Sequence, residues 1–196
     1  MSFTKEDIIS YIAILVIIVS MASIGMQFTG NVVTDEAVVN VTVSESAAIN
    51  FTVALVDFSS GSVNNGSAGA TLETGVDSAT AEGTWTGTQS ALTLQNIGNV
   101  NVTLGLMANK IAADYLGGTS PTFKYKVTDG ASDSGACVSN GASTYTEFTT
   151  NNAVACSPLQ FQDSADEIDL DIQLYIPSDS NTGTQTATIT ATGTTS

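Results

Sequence analysis

The chain has 196 residues, 42% hydrophobic but only 12% charged, and its 19 acids against four basic residues give a net charge of −15. That sign repels phosphate backbones, so charge-driven nucleic-acid binding is excluded. With no histidine, no arginine and two cysteines, a Ser-His-Asp or Cys-His site and a conventional zinc site cannot be assembled either.

The first element runs from Ile8 to Phe28, IISYIAILVIIVSMASIGMQF, 21 residues without a charge. About 20 such residues, rising 1.5 Å each, cross a hydrocarbon core of roughly 30 Å. Residues 1–29 are therefore expected to form a hydrophobic helix. Its membrane- or assembly-facing side chains are Ile8, Ile9, Tyr11, Ile12, Leu15, Val16, Ile18, Val19, Met21 and Ile24. A cleavable signal has a shorter core, about 7 to 15 residues, and a small-x-small exit. The longer core here, with poor exits at Ser20-Met21-Ala22 and Ala22-Ser23-Ile24, favours retention. Ala13, Ser20, Ala22, Ser23 and Gly25 permit close helix packing, so the segment either faces lipid as an anchor or packs against other copies. Only Lys5 supplies a positive-inside signal; orientation rests on the region C-terminal to the helix, which reads as extracellular. Residues 30–36 read as a linker, and residues 37–196 have a length typical of one domain.

From Ala37 the period switches to two, the mark of half-buried strands. Val39, Val41 and Val43 alternate with Asn40, Thr42 and Ser44, and Ile49, Phe51, Val53 and Leu55 alternate with Asn50, Thr52 and Ala54. Further strands are expected at Leu92 to Asn96, Val100 to Met107, Thr122 to Thr128, Thr144 to Thr149, Ile168 to Ile176 and Thr184 to Thr192. Over the long run near the end, Ile168, Leu170, Ile172, Leu174 and Ile176 point inward while Asp169, Asp171, Gln173 and Tyr175 point outward. Turn signals separate these runs: Asn65-Gly66, Ile97-Gly98-Asn99, Gly117-Gly118, Asp129-Gly130, Asn140-Gly141 and Pro177-Ser178-Asp179. Some eight short strands with one wet face each need a facing sheet. The expected fold class is mainly β, a hydrophobic N-terminal helix followed by an immunoglobulin-like or jelly-roll β-sandwich.

Several residues carry surface chemistry. Asn40, Asn50, Asn65 and Asn101 each open an Asn-x-Ser/Thr sequon, and Asn40, Asn50 and Asn101 lie out of phase with the apolar positions, where water and a glycan could reach them. Trp85, the sole tryptophan, either packs in the core or offers a sugar-binding platform. Cys137 and Cys156 are expected to form one disulfide stapling an Asn-, Ser- and Thr-rich segment. Asp163, Asp166, Glu167, Asp169 and Asp171 crowd nine positions. They are either a solvated acidic face or a structural calcium site, calcium taking about six to eight oxygens; no other cofactor is expected. Asp133-Ser134-Gly135 matches the aspartic-protease triplet, but no second copy or apolar flank accompanies it.

The short charged start, apolar helix and Thr-, Ser- and Gly-rich β head resemble archaeal pilins and archaellins. That resemblance implies a helix held in the membrane before assembly and in a filament core afterwards. The runs from Leu92 to Leu104 and from Ile176 to Ala191 resemble surface sandwiches of archaea and bacteria, including camelysin and TasA-like fibre proteins. In those domains the first run is a strand, tight turn and strand, and the second is the closing edge strand. The expectation is a non-catalytic cell-surface subunit of a pilus-like filament or coat, associating with itself, with the membrane through its helix, and with surface proteins or glycans. A monomeric membrane-anchored adhesion domain is the alternative, and a hydrolase using two carboxylates is a third class.

Overall fold

The computed structural model describes residues 39–75, 80–86 and 89–196. The expected helix over 1–29, with all ten of its named side chains, and the linker over 30–36 lie outside the described residues. The chain divides into two units, Met1–Val43 and Ser44–Ser196. In the first, the described residues 39–43 form no strand, so the expected strand there is unpaired. Val39, Val41 and Val43 are 90%, 84% and 77% exposed.

The second unit is mainly β, two antiparallel sheets packed around one core. Its elements are β1 (Ile49–Val53), β2 (Gly69–Glu73), β3 (Thr80–Ala81), β4 (Leu92–Asn96), β5 (Val102–Ala108), α1 (Ala112–Leu116), β6 (Thr122–Asp129), β7 (Thr146–Glu147), β8 (Ala153–Leu159), β9 (Glu167–Pro177) and β10 (Ile189–Thr195). The eleven-residue β9 organises the larger sheet. β6 runs along one of its edges from Ile168 to Tyr175, while β4 and β2 share the other, beside Glu167–Leu170 and Gln173–Pro177. β1 extends this sheet from β4, β3 from β2 and β7 from β6.

Between β4 and β2 the ladder on β9 would lapse at Ile172, where an unpaired buried amide costs about 1–3 kcal/mol. Thr74 fills the gap. Its hydroxyl accepts the Ile172 N–H at 2.8 Å, and its own N–H donates to the Ile172 carbonyl at 3.0 Å. The chain then turns away through Gly75 at φ +87°, where an added Cβ would stand 1.8 Å from Asp171 Oδ1.

The smaller sheet is β10-β5-β8. Leu72, Leu94, Ile168 and Leu170 of the larger sheet pack with Val102, Leu104, Leu106 and Leu159 of the smaller, each at most 1% exposed. Burying a side chain of this kind contributes about 1.5–3 kcal/mol. The inner positions of β9 are those its alternation predicts, except that Ile176 is only half-buried. On the outer face Asp171 is buried rather than wet, because Lys126 on β6 pairs with it at 3.2 Å and the Gly75 turn closes over it.

The chain crosses between sheets at residues 97–101, and Asn96 fixes that corner. Its Nδ2 donates to the carbonyls of Val100, Leu159 and Gln160 at 3.0, 3.3 and 3.1 Å, and its Oδ1 accepts the Gly98 N–H at 3.1 Å. The outer edge of β8 is covered by residues 136–141, which bond to it through Val138, Ser139, Gly141 and Ala136. The Cys137–Cys156 disulfide locks this cover in place, its Cα atoms 5.5 Å apart. α1 ends at Gly117, φ 68°, and buries Leu116, while Tyr115, Phe123, Phe148 and Tyr125 form a chain of ring contacts 4.5–5.1 Å apart.

Two stability measurements on the full chain check this reading. Replacing both cysteines by serine lowers unfolding free energy by about 3 kcal/mol, seen as a shifted urea midpoint; an unchanged midpoint would show that the staple carries no stability. Asn96→Ala removes the side-chain contacts to three carbonyls and one amide and costs about 2–4 kcal/mol; a loss under about half a kcal/mol would mean that the corner is held by something else.

Candidate functional site

The open edge of the smaller sheet is the feature that its neighbours leave unfinished. β5 pairs with β10 in register from Ile189 opposite Ala108 to Thr195 opposite Val102. Just beyond, Asn109 N–H bonds the Thr188 carbonyl at 2.9 Å and Ser196 N–H bonds the Asn101 carbonyl at 3.3 Å. Bonding groups alternate along a strand, so the even-numbered residues of β10 face β5. Ile189, Ala191, Gly193 and Thr195 direct their N–H and C=O outward, and no strand pairs with them among the described residues.

Folded proteins usually blunt such an edge with a charge, a proline, a bulge or a cover. β8 has its cover. β10 reads ITATGTT, uncharged, without proline and in unbroken register. Its inner face is also incompletely packed: Ile189 and Ala191, with Ala187 just before the strand, are half-buried, whereas Leu104 and Leu106 on neighbouring β5 are at most 1% exposed. β1 approaches at this side, since a Cβ at Gly193 would come 3.1 Å from Ile49 Cγ2. Ile49 and Phe51 on β1, and Val56 and Phe58 beyond it, are likewise half-buried against the core margin. Extended backbone groups beside part-covered apolar side chains are what strand addition requires.

The other sequence-predicted residues fall elsewhere. Asn40, Asn50 and Asn65 are exposed. Asn101, expected in water, is half-buried, and its Oδ1 is enclosed with no hydrogen-bond partner among the described residues. Its carbonyl is taken by the N–H and hydroxyl of Ser196, which hold it at the β10–β5 junction. Trp85 is half-buried at the margin of the core.

The five acids do not converge. Asp166 accepts from Gln95 Nε2, Asp169 from the Thr93 hydroxyl and Asp171 pairs with Lys126. Among the described residues no three carboxylates are placed to hold a metal ion. Lost hydration, then the charges of Asp133, Asp169 and Asp166, push the Glu167 carboxyl above its usual range. At a separate corner, the Thr119 backbone N–H and then its hydroxyl hold Asp179 below the usual range.

The two shifts have opposite consequences. A raised carboxyl binds its proton more tightly in the folded chain, so ionised Glu167 opposes folding at neutral pH and the opposition fades as pH falls through the raised value. Asp179 stabilises above its unfolded value, and that contribution is lost as pH falls through the lowered one. Glu167→Gln is expected to raise the neutral-pH melting temperature by about 1–3 °C and to flatten the gain on mild acidification. NMR titration of the carboxyls checks the order: Glu167 protonates before Asp179, and the reverse order would contradict the assignment.

No protein family matches this chain. No curated protein or solved structure matches it either.

Proposed function

We propose that this chain is a non-catalytic structural subunit of the cell surface, a pilus-like filament or coat, whose head is a β-sandwich of the immunoglobulin-like or jelly-roll kind. Assembly proceeds by adding a strand of a second copy to β10, with the apolar segment 8–28 anchoring or packing the subunits. The observation that carries this reading is the edge: seven uncharged residues, four of them with outward backbone groups and no strand beside them among the described residues, flanked by half-buried apolar side chains.

Two further features support it. Val39, Val41 and Val43 are exposed and alternate with polar residues, the pattern an added strand needs if one of its faces is to be buried. An acidic surface with −15 net charge keeps copies apart except where a neutral contact outweighs the repulsion, and β10 carries no charge. A monomeric anchored adhesion domain would have the same helix and head but gives no reason for an unprotected edge.

The test uses the full chain in detergent, followed by sedimentation and negative-stain imaging as detergent is withdrawn. The wild type assembles into fibres or sheets. Ala191→Pro removes an outward N–H without touching the β5 ladder, and Val41→Asp charges the donor face. Each is expected to reduce the assembled fraction at least about tenfold while the melting temperature of the dispersed chain falls by no more than about 4 °C. Assembly at wild-type level in both variants would remove β10 and the valine segment from the account.

A further inference from the structure

A second feature lies away from the β10 ladder: a groove of 1090 Å³ between residues 56–68 and residues 180–185. Its floor is made by Trp85, Tyr115, Leu116, Leu174 and Ile176. The volume lies just above the roughly 300–1,000 Å³ of small-molecule sites, enough for a ligand of several linked rings.

The floor is pre-set. The Trp85 indole lies against two glycines, so closely that a Cβ on Gly61 would stand 2.3 Å from Cδ2 and one on Gly83 2.7 Å from Cε3. Backbone at both positions fixes the ring while leaving it half-exposed to the groove. Tyr115 is steadied by Phe123, ring centroids 5.1 Å apart. Aromatic faces held in this way are ready to take the C–H face of a flat, partly apolar ring without ordering cost.

The walls set the class of ligand. The segments on either side line it with Ser, Asn, Thr and Gln residues, among them Ser60, Thr184 and Gln185, groups that both donate and accept. Asp57 is the only charged residue lining the groove among the described residues. With no cation there to meet an anion and a strongly acidic chain around it, phosphate, sulfate and carboxylate ligands are disfavoured. A ligand with many hydroxyls, apolar ring faces and no charge satisfies both floor and walls. We propose that this groove binds a neutral oligosaccharide, stacked on Trp85 and held by hydroxyl and amide groups among the residues that line it. Its source is either a glycan of another molecule or one carried on the exposed Asn65, whose sequon lies on the groove's rim.

Because Trp85 is the sole tryptophan, its emission reports on the groove directly. The full chain in detergent is titrated with maltotetraose, cellotetraose and chitotetraose, and with tetragalacturonate as the anionic control. At least one neutral tetrasaccharide is expected to shift the emission to shorter wavelength saturably, half-maximal in the millimolar range or tighter. Gln185→Ala weakens that binding about two- to tenfold at unchanged melting temperature, and tetragalacturonate binds at least about tenfold more weakly. Chain made in its native host, as wild type and as Asn65→Gln, separates the sources. Binding seen only after Asn65→Gln assigns the groove to the chain's own glycan, and equal binding by both assigns it to an external one. No saturable shift with any neutral saccharide in either form, an equal response to tetragalacturonate, or a response only to a peptide spanning residues 39–45 would overturn the proposal.

Discussion

A seven-stranded sheet covered by a three-stranded one is the constraint on which the rest of the structure depends. The large sheet is fixed by β9, whose inner side chains from Ile168 to Leu174 need burial along the strand's length. The small sheet supplies β5 and β8 over the middle, where Val102, Leu104, Leu106 and Leu159 complete a dry core. Everything outside that overlap has to be covered by other means. α1 and the aromatic chain from Tyr115 to Tyr125 cover one flank, and the disulfide-stapled segment 136–141 closes β8.

At β10 the covering stops. Its inner residues remain half-buried, and so do those of β1 across from it, so this margin has a residual driving force for burial together with a row of outward backbone groups. The same mismatch in width leaves the groove floored by Trp85, where loops stand apart over the end of β9. The edge is suited to an extended chain and the groove to a neutral polyol. The edge carries no charge, and among the described residues the groove is lined by one, Asp57, on a chain that otherwise repels its own kind.

How much of this arrangement is legible in the sequence depends on how local each cause is. Leu92–Asn96 matches its expected bounds because alternation and the following Gly turn coincide with the real pairing. β9 is equally legible, apart from Asp171, which an outward phase marks as wet and which Lys126, a residue of another strand, draws under cover. β2 is missed because GATLE is short and opens on Gly and Ala, so its alternation rests on one large apolar side chain, Leu72. β8 is missed because Pro158 argues against a strand, and its outer edge is completed by a cover instead of a ladder. The pattern at Val39, Val41 and Val43 is truly strand-like, yet alternation states only what a strand would bury and cannot supply its partner. Of the candidate sites, the edge strand is legible as alternation over Thr184 to Thr192, although pairing begins at Ile189. Of the groove only Trp85 is legible, as the alternative of a sugar-binding platform, since residues 56–68, Tyr115 and 180–185 meet only through the fold.

Amide hydrogen exchange at β10 tests the central claim most directly, because it reads the outward groups themselves. In dispersed chain the amides of Ile189, Ala191, Gly193 and Thr195 should exchange rapidly while Thr190, Thr192 and Thr194 are protected by β5. In assembled material all seven should be protected. If the four outward amides exchange equally fast in both states, assembly does not proceed through this edge.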